Sequence, residues 1–369
     1  VPATLLPASA HALFDAPLPD RAGALALSRL AGVGPRTWRT LLVEHGGDAD
    51  RAAAARRRFT VRAWAAARES ARALLDAAAG GPYALLLPGD AAYPRPLLDL
   101  PDSPVTLWVA GGNAALAYAP RVAVVGTRAH TALGERTTRR LVAVLAECGA
   151  SVVSGMARGI DTIAHAAALA AGAPTVAVLG TGIDVPYPRQ NAALYERIVA
   201  AGAVVAELPP GTQVAPGVFP RRNRVVAALA DVVVVVEAPA QSGALITAGM
   251  AADLGRTVAA VPGSVEAPTA AGTNRLLRDG AHVLADPRDI AGLLGLPGRP
   301  ATPDPLVTEP LALGDDERLV WRALAEPAPD LDVLVHRTGL APGRCAAAVT
   351  ALELRDHVGT DPAGELRRA

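Results

Sequence analysis

GVFPRRNRVVAALADVVVVVEA (Gly217–Ala238) decides the fold. Its second half, Val232–Glu237, is an unbroken run of valine closed by a carboxylate. A strand with one wet face alternates apolar and polar residues; this run does not alternate, so it reads as a strand buried on both faces. Working outward, similar short runs recur at Val122–Val125, Ser151–Val153, Thr175–Leu179, Val204–Glu207 and Val258–Val261, with helical patterns between them. Strand–helix alternation of this kind predicts a parallel sheet with right-handed crossovers. The expected class is α/β, a doubly wound, extended Rossmann-like parallel sheet, whose ligands bind outside the C-terminal ends of the strands.

Composition agrees with a folded chain. Of 369 residues, 51% are hydrophobic and 19% charged, which suits two or three domains with large cores. Lysine is absent, so all 35 basic residues are arginine and balance 35 acidic ones. Zero net charge excludes a generally basic coat and confines any polyanion site to a local patch. Arginine suits such a patch, because its planar fork of donors keeps its charge. Cys148 and Cys345 lie far apart and form neither a disulfide framework nor a zinc pattern. No stretch reads as a signal peptide or a membrane span, and a cytoplasmic protein is expected.

Four segments are expected. Residues 1–80 read as an N-terminal all-helical domain. Within it LSRLAGVGPRTWRTLL (Leu27–Leu42) forms two helices around Gly32-Val33-Gly34-Pro35. That hairpin either offers backbone N–H groups to a phosphate or is simply a tight corner. Residues 81–295 hold the sheet, and 296–312 are a Pro-rich linker. Residues 313–369 read as three helices, DDERLVWRALAE, LDVLVHRTGL and APGRCAAAVTALELR, with a short wing after them. The third helix has only Arg344 and Arg355 as basic residues, against Glu353 and Asp356, so it is poorly equipped to read a major groove. Partner contact or simple folding is the expectation there.

The strand ends carry the chemistry. VAVVGTRAHTALG (Val122–Gly134) runs from a strand through Gly126-Thr127-Arg128 into a helix, an arrangement that offers backbone donors and a cation to an anion. It is not a G-x-G-x-x-G fingerprint, so no dinucleotide cofactor is inferred, and no cofactor or metal is called. SVVSGMARGIDTIAHAAAL (Ser151–Leu169) places Ser154, Gly155, Arg158 and Gly159 at the next strand end. Asp161 and His165, four apart, share a helix face and read as capping and packing. Arg221, Arg222 and Arg224 sit together before a helix, where cations oppose the macrodipole. Either they hold a phosphate strand, or they form a salt-bridge network with Glu207 and Glu237. Asn223 is placed to hydrogen-bond a base or a loop, and Phe219 to stack on a base. In EAPAQSGALITAGMAADLGRTVAAVPG (Glu237–Gly263), Ser242 reads as a helix cap beside Gly243, with Thr247 one turn on. GTNRLLRDGA (Gly272–Ala281) opens a further helix with Asn274 near its start. Together these loops make a groove rich in arginine and backbone donors, of the kind that tracks a single strand without reading sequence.

VAVVGTR, SGMARGIDTIAH, TVAVLGTGIDVPYPRQN, FPRRNRVVAAL, VVVVEAPAQSGALITAGMA and GRTVAAVPG occur in the order and spacing of the DprA/Smf DNA-processing family, which the chain resembles from Pro82 to Asp289. The helical N-terminus looks like that family's sterile-alpha-motif-like domain and the C-terminal part like its winged helix. The resemblance implies binding of single-stranded DNA in a basic pocket, a homodimer through the Rossmann-like domain, and loading of RecA recombinase during natural transformation. By motif, Gly126, Thr127, Arg128, Ser154, Gly155, Arg158 and Gly159 would line the pocket, with Arg221, Arg222, Asn223 and Arg224 opposite. Ala228 stands where the family often has glycine, and Ala260 where an aromatic is usual.

Two other classes compete with this non-enzymatic reading. A nucleotide hydrolase of the phosphoribohydrolase type has a PGGxGT loop and a catalytic Glu, whereas the comparable loop here is APAQSGALIT. A scaffold with a vestigial pocket would bind a partner protein and no DNA.

Overall fold

The computed structural model describes residues 12–296, apart from 57 and 113, and 313–368, apart from 325–327, 356 and 361–365. The Pro-rich stretch 297–312 therefore lies outside the described residues. The chain divides into two compact units, 1–298 and 299–369.

The first unit opens with helices α1 (Arg21–Ser28), α2 (Pro35–Glu44), α3 (Ala49–Ala54) and α4 (Val61–Ala79). Asp20 and Thr60 cap α1 and α4 through Gly23 N (2.8 Å) and Ala63 N (3.1 Å). Pro35 begins α2 after a turn whose Gly32 has φ +74°. These helices belong to the same apolar core as one face of the sheet. Buried Trp38 donates its indole N–H to Ala24 O (2.6 Å), and buried Arg39 donates to Leu98 O (2.7 Å) and Leu100 O (3.2 Å).

Nine strands form one sheet: β1 (Ala84–Leu86), β2 (Leu107–Gly111), β3 (Arg121–Val125), β4 (Ser151–Ser154), β5 (Thr175–Gly182), β6 (Ala203–Leu208), β7 (Val232–Val235), β8 (Thr257–Ala260) and β9 (His282–Val283). Their order is β1-β2-β6-β5-β4-β3-β7-β8-β9. From β3 to β6 the chain winds one way, and from β7 to β9 it winds the other. The switch point thus lies at β3, between β4 and β7. Connecting helices are α5 (Ala114–Ala117), α6 (Ala132–Glu147), α7 (Ile160–Ala170), α8 (Ala192–Ala201), α9 (Val218–Leu229), α10 (Gly243–Asp253), α11 (Ala271–Arg278) and α12 (Asp289–Leu293).

The valine runs are buried on both faces, as their pattern requires. Val122, Val124, Val232 and Val234 enter one core, and Ala123, Val125, Val233 and Val235 the other. Six of the strands were legible in the sequence. The sheet is mostly parallel, as read; the sequence did not announce its edge, where β2 pairs antiparallel with both β1 and β6. The edge strands gave little signal: β1 has three residues and β9 two, and LWVAG ends in a glycine with φ +90°.

The second unit contains α13 (Asp315–Ala323), α14 (Leu331–Thr338), α15 (Pro342–Glu353) and an antiparallel pair, β10 (Val358–Thr360) with β11 (Leu366–Arg368). Gly339 at φ +69° ends α14, and Pro342 starts α15. Val320, Trp321, Leu334, Cys345 and Leu352 fill its core. Three helices and a two-stranded wing make a winged helix. Neither Cys148 nor Cys345 is in a disulfide. Among the described residues, no helix is long and apolar enough to cross a membrane.

Candidate functional site

Strand register sets the site. Val125 pairs with Val235, and Ala123 with Val153, so β3, β4 and β7 end at similar heights at the switch point. Their loops surround a cleft of about 370 Å³. Gly126, Thr127 and Arg128 come from the β3 loop, Gly155, Ala157 and Asp161 from the β4 loop and α7, and Phe219, Arg222 and Asn223 from α9. Ser242, Gly243 and Thr247 come from α10. This is the crevice that doubly wound sheets use for ligands. A narrower recess adjoins it, lined by Arg128, Arg158, Tyr187 and Phe219.

Glycine is required where loops cross. Gly159 has φ +80°, and an added Cβ would run into Thr127 O and lie 2.8 Å from Arg128 Cα. Gly159→Ala is expected to destabilise the protein by about 1–3 kcal/mol, through the disfavoured backbone and that clash. A urea midpoint unchanged from the native protein would contradict it. At Gly155 an added Cβ would meet the Arg222 guanidinium, and at Gly126 it would meet Ile160 and Glu237 O.

The arginines separate into two kinds. Arg128 and Arg158 are exposed and form no ion pair among the described residues. The Arg128 guanidinium lies 5.8 Å from the Phe219 ring centre, and Tyr187 packs tilted on Phe219 at 5.1 Å. Two cations and two aromatic rings therefore meet at the mouth.

The cluster Arg221, Arg222, Arg224 does not act as one patch. Helix α9 starts at Val218, so the three lie inside its first turns, and successive side chains point about 100° apart. Arg224 is buried and forks onto Glu207 (2.7 Å to each oxygen). Arg221 is exposed and reaches Glu207 Oε1 at 3.2 Å. Arg222 is buried and donates to Gly155 O and Val178 O. Burial lowers its pKa to about 10, which leaves it charged at neutral pH. The salt-bridge alternative is what the structure has for Arg221 and Arg224, through Glu207, with Asp102 Oδ2 also 3.3 Å from Arg224 Nε. Glu237 instead accepts from Thr131 N (3.0 Å) and Thr131 Oγ1 (2.5 Å) at the start of α6.

Other expected residues also sort by position. Ser154 is fully buried and donates to Val124 O (2.8 Å), which corrects its expected place on the pocket wall. Its side chain alternates inward on β4, so it ties two strands together. Asn274 is not at the cleft either: it exchanges hydrogen bonds with Gly263 N (3.2 Å) and O (2.9 Å), holding the loop after β8. Ser242 caps α10 through Ala244 N (3.3 Å), as read, and Thr247 is buried at the cleft wall. Asn223 lines the cleft and donates to Gly243 O (3.3 Å). Tyr187 was not singled out, although the quoted VPYPRQN contains it.

Asp161 and His165 do share one face of α7. Asp161 accepts from Gly155 N (3.1 Å) and Ala157 N (3.3 Å). Burial pushes its carboxyl up, opposed by the Arg222 charge. His165 is fully buried, and burial lowers its pKa to about 3. Thr175 Oγ1 donates to Val152 O (3.0 Å), so it accepts from His165 Nδ1–H (2.8 Å), which places a proton on Nδ1, and burial keeps the ring neutral. The unfolded chain takes up a proton near pH 6.5 that the folded one refuses. Stability is therefore present above that pH and is lost as pH falls from 6.5 towards 3. Between pH 7 and 5.5 this group is expected to remove about 1 kcal/mol. Urea titrations at both pH values check it, since His165→Gln should lose less over that interval than the native protein.

A Rossmann-like protein with a cationic, aromatic-edged cleft at the switch point is the class that this fold and site define. The chain belongs to the DNA recombination-mediator protein A family, DprA/Smf. The family's sequence model matches residues 84–295, and that of the DprA winged helix domain matches 299–364. The putative DNA processing protein DprA of Mycobacterium tuberculosis is 44% identical over 255 residues, 68% of this chain and 66% of that protein. The matched region thus spans just under two thirds of that relative's length. An X-ray structure of DNA processing protein A from Streptococcus pneumoniae superposes with a TM-score of 0.66 at 31% identity, covering 74% of this chain and 97% of that one. A structure of the Helicobacter pylori protein, described for its single-stranded DNA binding mode, has a TM-score of 0.52 at 30% identity and covers 57% and 95%.

Proposed function

We propose that the chain binds single-stranded DNA across this cleft, without catalysis, and loads RecA recombinase onto the strand during uptake of incoming DNA. The observation that carries the reading is the pair of uncommitted cations, Arg128 and Arg158, beside Phe219 and Tyr187 at the cleft mouth. Phosphates suit the cations and bases suit the rings, a combination that tolerates any sequence. Family membership and the Helicobacter relative's DNA binding support it. Residues 81–295 would hold the strand and form the homodimer, in the cytoplasm, with the helical 1–80 segment flanking them. The winged helix fits a partner role better than duplex reading. Arg344 is paired with Asp316 (2.6 Å), and Arg355 with Glu317 (2.9 Å), so the two basic residues of the third-helix segment are already engaged.

Gel shifts with single-stranded, duplex and tailed DNA, with and without RecA, test this. Preference for single strands, a steep salt dependence and a RecA-dependent supershift are expected. Equal, salt-independent binding of duplex and single strand would sink the proposal, and release of free base from a nucleoside monophosphate would revive a hydrolase.

A further inference from the structure

The helical domain meets the sheet around a second recess. A groove of about 600 Å³ lies between α1, α4, the start of β2 and the residue that follows β6. Leu30, Ala66, Trp108 and Pro209 give it an apolar floor, and Arg29 is the charged residue in its wall. Among the described residues, no carboxylate lines it.

Three exposed arginines border the groove. Arg29 donates Nε–H to Ser70 Oγ (2.9 Å) across it. Arg58 donates to Gly32 O (3.2 Å), next to Ala31 of the rim. Arg62 stands one turn before Ala66 on α4, so the two share a helix face. None of the three forms an ion pair among the described residues, whereas Arg21, Arg51 and Arg68 of the same domain each lie against an aspartate. In a chain of zero net charge, unpaired cations around an acid-free groove make the local patch that a polyanion needs.

Groove and cleft open at the same end of the sheet. β2 runs antiparallel to β6, so Thr106, just before β2, lies at the C-terminal end of β6, where it donates to Glu207 O (3.2 Å). Pro209 leaves that same end. From β3, whose loop carries Arg128, to β2 is four strand spacings, about 19 Å. Cations mark the interval: Arg158 edges the recess at β5, and exposed Arg221 stands at the end of β6.

We infer that a bound single strand runs out of the cleft along the strand ends and lies in this groove, its phosphates on Arg29, Arg58 and Arg62 and its bases against the apolar floor. This rests on the proposed strand binding and adds a second contact surface to it, supplied by the helical domain. A duplex turns its bases inward and would leave that floor uncovered, so the unpaired strand is the occupant.

Calorimetric titration at low salt tests it with two thymidine strands, a 4-mer and a 20-mer. At a stacked rise of about 3.4 Å per nucleotide the 4-mer spans about 14 Å, short of the distance from Arg128 to the groove. The double variant Arg29→Ala, Arg62→Ala should weaken the 20-mer about tenfold, since ordering the extra chain offsets part of two charge-assisted contacts. The 4-mer should bind it as it binds the native protein. The salt slope of the 20-mer should fall by about 1.4, two phosphate contacts at about 0.7 each on a single strand. Should a urea curve show that this variant misfolds, Ala66→Glu serves: the site is exposed, and a carboxylate in the groove should weaken the 20-mer and spare the 4-mer. Equal losses at both lengths, or no loss at either, overturn the groove assignment and leave strand binding standing. A loss confined to a duplex of 20 base pairs gives the groove to duplex DNA and also overturns it. If the native protein binds neither thymidine strand, strand binding and the groove fall together.

Discussion

Arg128→Ala should weaken single-stranded DNA binding about 10- to 100-fold at moderate salt, with little change in folding stability. Hydrogen bonds to charged groups contribute about 1.5–3 kcal/mol each, which sets that range. The side chain is exposed and has no ion-pair partner among the described residues, so its removal orphans nothing. Its one recorded neighbour is the Phe219 ring, which the variant leaves in place. The loss should be uniform across sequences, and the salt dependence should lose about one counterion's worth of slope. Anisotropy titrations at several salt concentrations, with a parallel urea curve, measure both parts. An unchanged Kd would remove Arg128 from the interface.

Arg222→Ala should behave in the opposite way and cost about 3–5 kcal/mol of folding stability, the range found when one member of a buried charged pair is removed. Two carbonyls, Gly155 O and Val178 O, would lose their donor inside the protein. Buried Asp161 would lose the cation that opposes its desolvation. The guanidinium also fills the space that a Cβ at Gly155 would meet, so a void would open beneath the cleft. Any DNA-binding defect of this variant therefore reports on folding first, and chemical denaturation must precede the binding assay. A native-like urea midpoint would show that Arg222 is a surface ligand and that the buried arrangement is wrong.

These variants mark where sequence reasoning reached and where it stopped. Val232–Val236 announced a strand buried on both faces because five valines leave no polar face to expose. The order of strand-end glycines, Gly126, Gly155 and Gly243, located the cleft, because loops at the ends of parallel strands converge. Ser242 was readable as a cap for a local reason, since capping needs only its own helix. The antiparallel edge was not readable: β2 is defined by pairing with β6, almost a hundred positions away.

Uncommitted and committed arginines look the same in a string of letters. Arg221, Arg222 and Arg224 fall within four residues, yet Glu207 holds two of them and backbone carbonyls hold the third. Arg128 and Arg158, each isolated in the sequence, are the two left facing solvent at the mouth. Ser154 and Asn274 matched site-like motifs and became struts. By itself the sequence determined the α/β class, the winged helix and the strand-end loops that rim the cleft, because periodicity and turn chemistry are local. Only the tertiary structure decided which charges remain free to meet that ligand, because a charge's availability depends on the partners that distant segments bring to it.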